Sequence, residues 1–354
     1  MAPATGDDAP DSDRASDAAS RPPVAAALDE FDDGLAESVA SSLTGRSDVV
    51  AVGVPLALLP AILAARDETT GGTWRVACRP GAVEPLARAL VLGTAVAEAV
   101  ATGSLELRTA ADLGPRSGAL GGARTCFASA DRVDAVAGPA SARTLVTEET
   151  AERVAAAGRA VRDRFASATP ATVGMPARSR LLATAAETLD DRFATDLAAA
   201  LDALPYGALG RSGDLTDRTL LVALAARHDH LLWDLRRWIS GETQPAGGAR
   251  EGGDGTRREA ERVGVAAGQD LTDDRRRLVR RGLIEAIKVP VGDGRPRLRL
   301  RAVDDALLRA TPTEVLSVLR GRFALPVDED GRIESPPGSD GRRPVWERTR
   351  RGKN

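Results

Sequence analysis

The stretch LTDDRRRLVRRGLIEAIKVPVGDGRPRLRLR, residues 271–301, decides the reading of this chain. At 100° per residue, Leu271, Leu278, Val279 and Gly282 share one face, while Asp273, Arg276, Arg277 and Arg280 share the other, which predicts an amphipathic helix over 271–281. Arg275 points towards its apolar side. The pattern then turns to strands, Glu285–Val289 and Arg297–Arg301, with Gly292, Asp293 and Gly294 supplying the freedom of a ribbon tip between Pro290 and Pro296. A helix followed by a two-stranded ribbon is the order of a recognition helix and its wing. Nine arginines and Lys288 stand against Glu285 and Asp293 from Arg275 to Arg301, a local balance of +8 in a chain whose net charge is −3. Such segregation fits phosphate neutralisation.

On this reading Arg276, Arg277 and Arg280 lie in a major groove, where arginine grips guanine O6 and N7, and Thr272 reaches a base or the backbone. Lys288, Arg295, Arg297 and Arg299 would form a wing against neighbouring phosphates. The competing reading is a solvated face whose arginines pair with Asp270, Asp273 and Asp274.

Upstream the periodicity is helical. Arg178–Leu204 reads as one or two helices and Asp217–Ile239 as one more, with Leu220, Leu224, Leu231, Leu235 and Trp238 in a stripe facing a core. Between that helix and the basic one, 241–255 holds six glycines and reads as a flexible loop, followed by a short helix near Arg257–Val265. A last helix or two covers Asp304–Phe323, and residues 326–354 read as a flexible tail.

The N-terminal half alternates. Apolar runs Val49–Val54 and Trp74–Cys78, and short strands Leu105–Arg108, Thr125–Ala128 and Val133–Ala137, are interleaved with helices Leu56–Ala65, Glu84–Ala101 and Glu148–Ala166, the last opened by Thr147. The pattern predicts an α/β unit with a mainly parallel sheet over 35–168, joined by a linker at Thr169–Pro176 to a helical and winged-helix unit over 178–323. Residues 1–34, rich in Asp, Ser, Ala and Pro, read as a disordered acidic tail.

Composition narrows the classes. Only two of 48 basic residues are lysine and 51 carboxylates oppose them, a bias that fits a GC-rich, salt-adapted proteome. Two cysteines, Cys78 and Cys126, make neither a zinc cluster nor a secreted disulfide framework and read as buried small hydrophobes. Trp74 reads as core. The longest apolar run is broken by Gly53, Pro55 and Pro60, and the start of the sequence is acidic, so a cytoplasmic protein without a membrane span is expected. His228 and His230 would lie about 200° apart on one helix, the first flanking the core and the second at the surface, unable to share a metal. No nucleophile elbow, P-loop or dinucleotide fingerprint is present, and no catalytic residue, metal or cofactor is expected.

The runs LVALAARH (221–228), Leu232-Trp233-Asp234, Arg281-Gly282-Leu283-Ile284 and, above all, KVPVGDGRPRLRL (288–300) resemble the haloarchaeal TbsP-type transcriptional regulators. The resemblance implies an N-terminal α/β sensor domain and a C-terminal winged helix-turn-helix, with 271–281 as recognition helix and 288–300 as wing. It also implies a non-enzymatic regulator of central or sugar metabolic genes that acts on promoter DNA, with a small-metabolite effector as an expected partner. A homodimer is expected because such domains read paired half-sites, with the long helices Glu84–Ala101, Glu148–Ala166 and Arg178–Leu204 supplying its interface. Two other classes remain in play at the sequence level: a nucleotide- or sugar-phosphate-binding protein, and a protein that modulates another regulator without touching DNA.

Overall fold

A computed structural model describes residues 33–110, 124–139, 142–207, 215–241, 271–290 and 296–325. The acidic segment 1–32, the glycine-rich 242–255, the short helix expected near 257–265, the wing tip 291–295 and the tail from 326 lie outside the described residues.

The N-terminal half is built on a seven-stranded sheet of β1 (Val50–Val54), β2 (Trp74–Cys78), β3 (Leu105–Thr109), β4 (Thr125–Ala128), β5 (Val133–Ala137), β6 (Thr144–Glu148) and β7 (Thr169–Pro170), in the order β6-β5-β4-β1-β2-β3-β7. The expected parallel pairing is found in the central trio β1-β2-β3, while β4, β5, β6 and β7 join antiparallel. Both faces are covered, so the central strands are apolar on both. Ala51, Val54, Val76, Cys78 and Phe127 pack with α1 (Asp33–Leu43), α2 (Leu59–Asp67) and α3 (Leu90–Ala101). Val50, Val52, Ala77, Cys126 and Ala128 pack with Val154, Ala157, Val161 and Phe165 of α4 (Ala151–Ala166). This is the period-two division of an α/β sandwich.

Several local expectations are corrected. Helix α1, which buries Leu35, Val39 and Leu43, was hidden by the acidic composition around it. The helix expected over Glu84–Ala101 is a 3-10 turn, Glu84–Arg88, followed by α3, with Ala89 extended at φ −118° and ψ 87°. The turn lies so close to α3 that a Cβ on Gly93 would stand 2.2 Å from the carbonyl oxygen of Leu86, so the short separation needs glycine. Thr147 does not open α4. It lies in β6 and donates to Asp134 across the strand pair at 2.6 Å, and Thr150 precedes the helix instead. The linker expected at 169–176 is tied down: Thr169–Pro170 pairs with β3, Ala171 donates to the Leu107 carbonyl and Met175 is buried.

The C-terminal half comprises α5 (Arg178–Thr188), α6 (Asp191–Ala203), α7 (Asp217–Arg227), α8 (Leu232–Ser240), α9 (Leu271–Arg280), β8 (Ile284–Val289), β9 (Arg297–Ala302), α10 (Asp305–Arg309) and α11 (Val315–Phe323). Its centre is α7, buried at every residue from Thr219 to Ala226 and capped by the reciprocal Thr216–Thr219 box. The single helix expected over 217–239 is broken at Asp229, whose φ is +56°. There the chain runs extended, the His230 carbonyl accepts from Leu300 N–H at 2.9 Å, and Leu231 bridges Arg299. A tertiary strand contact therefore outcompetes the helical continuation that the apolar stripe suggested.

Candidate nucleic-acid interface

In chain order the C-terminal unit runs helix α7, bridge strand at Leu231, helix α8, helix α9 and ribbon β8–β9. The inward face of α9 is set by Leu271, Asp274 and Leu278, all 1% exposed or less. Asp274 is the polar anchor: its carboxylate accepts from Thr219 Oγ1 at 2.9 Å, Thr216 Oγ1 at 3.1 Å and Arg218 Nε at 3.0 Å, fixing α9 to the start of α7. Three donors on a buried carboxylate compensate its desolvation. A second tie runs from Arg236 of α8 to the Thr272 hydroxyl. Thr272, expected to reach DNA, is half-buried and spent on helix–helix contact.

With that face locked, Asp273, Arg276, Val279 and Arg280 are left exposed. Val279 was expected on the apolar face and is 40% exposed, because the burial axis runs through Leu271, Asp274 and Leu278. Arg276 contacts Asp273 at 3.3 Å, and both are largely solvated, so the pair is worth little and a phosphate competes with it readily. Arg277 is half-buried. Arg275 is half-buried too, and burial, followed by the neighbouring Arg276 and Arg236, lowers its pKa, a sign of crowded positive charge at this end of the domain.

On the ribbon, strand alternation separates the expected residues. Arg297 and Arg299 share a face with Arg301, whereas Lys288 sits opposite Leu298 in the antiparallel register and therefore points to the other face. Arg301 is held by Asp229 at 3.0 Å and Glu285 at 3.8 Å. Arg297 lays its guanidinium over the ring of Trp233, 5.1 Å from the centroid, and Trp233 is itself 49% exposed. Arg299 is exposed, and Arg295 lies outside the described residues. The structure thus leaves Arg276 and Arg280 exposed on the helix and Arg299 exposed on the ribbon, with Arg297 over Trp233, while Thr272 is half-buried and Lys288 lies on the ribbon's other face. The sequence reading left out Arg236, took Asp274 only for a solvated partner of the arginines, and named Trp233 only within the family resemblance. Trp233 alone left a signal, being a large apolar residue outside the helix stripe.

The histidines are also corrected. Because α7 ends before them, His228 and His230 come together with ring centroids 6.1 Å apart, both edge-on to Phe193. His228 Nε2 lies 3.0 Å from Asp196, and His230 is 12% exposed rather than at the surface. Burial, above all, lowers the His230 pKa. Among the described residues no group of side chains is arranged to hold a metal ion. Burial pushes the thiols of Cys78 to about 12 and Cys126 to about 11, which fits packing residues rather than nucleophiles. No helix among the described residues is long and apolar enough to cross a membrane.

A buried helix core, an arginine-bearing second helix and a basic ribbon define a winged helix-turn-helix DNA-binding protein of the transcription-regulator class. The chain matches the N-terminal domain of TbsP-like transcriptional regulators over residues 29–176 and the TbsP-like C-terminal HTH domain over 177–244 and 253–320. It belongs to the TbsP-like family. Comparison with curated proteins and with solved structures gave no match.

Proposed function

We propose that this DNA-binding transcriptional regulator reads promoter DNA with α9 in the major groove and β8–β9 along the adjacent backbone. Arg276, Arg280, Arg297 and Arg299 would carry the contact, Arg277 and Arg295 support it, and Lys288 meets phosphate from the ribbon's other side. The observation that carries this reading is the locked inner face of α9: Asp274 and Leu278 are buried against the core, which leaves Arg276 and Arg280 on the exposed face of the helix. The target class, central or sugar metabolic genes, rests on the family resemblance, whereas a cytoplasmic site of action rests on composition and a role without catalysis on the motifs of the sequence.

Effector control is part of the same proposal. A cavity of about 720 Å³ is lined by Pro60, Ala64 and Asp67 of α2 together with Arg178, Asp202 and Arg320 from the C-terminal half. A small polar metabolite held there would touch both family-matched regions and so bias the winged helix.

The test is a salt titration of binding to promoter fragments for wild type, Arg276→Ala/Arg280→Ala and Arg297→Ala/Arg299→Ala. Each double is expected to weaken binding and to reduce the log–log salt slope by about 1–2, close to one unit per lost phosphate contact. Slopes and affinities unchanged in both doubles would remove these residues from the interface.

A further inference from the structure

β6 ends the seven-stranded sheet, bonded to β5 on one side, and among the described residues no strand covers its other edge. Natural edge strands are usually blunted by lysine, proline, a bulge or a covering element. The β6 sequence Thr144-Leu145-Val146-Thr147-Glu148 has neither lysine nor proline, and its pairing with β5 is unbroken from Thr144 to Glu148. Val146 at its centre is 53% exposed.

The segment is complementary to itself in one register. Antiparallel pairing of two copies about a two-fold axis at Val146 sets Leu145 against Thr147, Thr144 against Glu148 and Arg143 against Glu149, twice over. Glu149 is 69% exposed, and its contact to Arg132 is long, at 3.8 Å, so it is available to a partner. A parallel pairing or a two-residue slip loses both Arg–Glu matches.

We propose that the β6 edge is the docking surface for a second copy of this chain, joining two sheets across a two-fold axis. This deepens the regulator reading, since paired copies present two winged helices to one duplex, but it is read without DNA and fails separately from it. The experiment is sedimentation equilibrium of the full chain without DNA, from about 1 to 100 µM in about 0.15 M salt, where an interface of this limited size gives micromolar association. Glu149→Arg sets like charges opposite each other at both ends and is expected to weaken the dimer about tenfold or more. Arg143→Glu/Glu149→Arg reverses both pairs and is expected to restore it, with circular dichroism confirming that each variant folds. A wild-type chain that stays monomeric, a dimer equally tight in all three proteins, or a double that fails to recover would each overturn the proposal.

Discussion

Asp217, in the first turn of α7, accepts a 2.5 Å hydrogen bond from the backbone N–H of Leu90, the first residue of α3. Helix α3 has no side-chain cap of its own, and its start is capped instead by a carboxylate from the helix at the centre of the winged unit. The same helix end sends Leu90 and Val91 into the C-terminal core. The two family-matched regions are therefore joined by a helix cap as well as by apolar packing.

This cap predicts a pH signature. Burial is the main cause that raises the Asp217 pKa to about 6, against the opposing effects of the Leu90 N–H and Arg218. A carboxyl whose folded pKa lies above its unfolded value, about 3.9, favours folding at low pH, and that contribution is lost as pH rises through about 6. Its full loss amounts to roughly 3 kcal/mol. Asp217→Asn cannot ionise, so the stability of the variant relative to wild type should rise by about 2–3 kcal/mol between pH 4 and pH 7.5 in urea unfolding. A difference that stays constant over that range would place the ionisation elsewhere.

Asp274→Ala leaves Thr216, Thr219 and Arg218 facing a hole at the α7–α9 contact. A loss of about 3 kcal/mol is expected, read as a shift in the denaturation midpoint. Asp274→Asn keeps part of the network and should lose less; equal losses would argue that volume, not hydrogen bonding, holds α9.

Trp233→Ala removes the platform under Arg297 without disturbing the core, since Trp233 is half-exposed. The melting temperature should hardly move, while DNA affinity falls about three- to tenfold, the worth of a partly exposed cation–π contact. Trp233→Phe should recover part of it. An unchanged affinity in the alanine variant would show that Arg297 needs no support.

Gly93→Ala forces a methyl group against the Leu86 carbonyl, 2.2 Å from the position of its Cβ. Backbone must move to accommodate it, and a destabilisation of about 2 kcal/mol or more is expected. A variant as stable as wild type would mean that the 3-10 turn yields freely.

The sequence by itself determined the elements whose signal is local. The buried strands Val50–Val54 and Trp74–Cys78, the basic helix at Leu271–Arg280 and the ribbon strands Ile284–Val289 and Arg297–Ala302 were legible because apolar runs and the helical and strand periods are written in neighbouring residues. Tertiary structure decided what depends on a partner from far along the chain. β6 exists because β5 offers it an edge, the helix expected over 217–239 breaks because β9 captures residues 230 and 231, and Arg276 and Arg280 face outward because α7 claims Asp274. A buried carboxylate and an exposed one look alike in a sequence, and the distant donors of Asp274 and Asp217 give each its role.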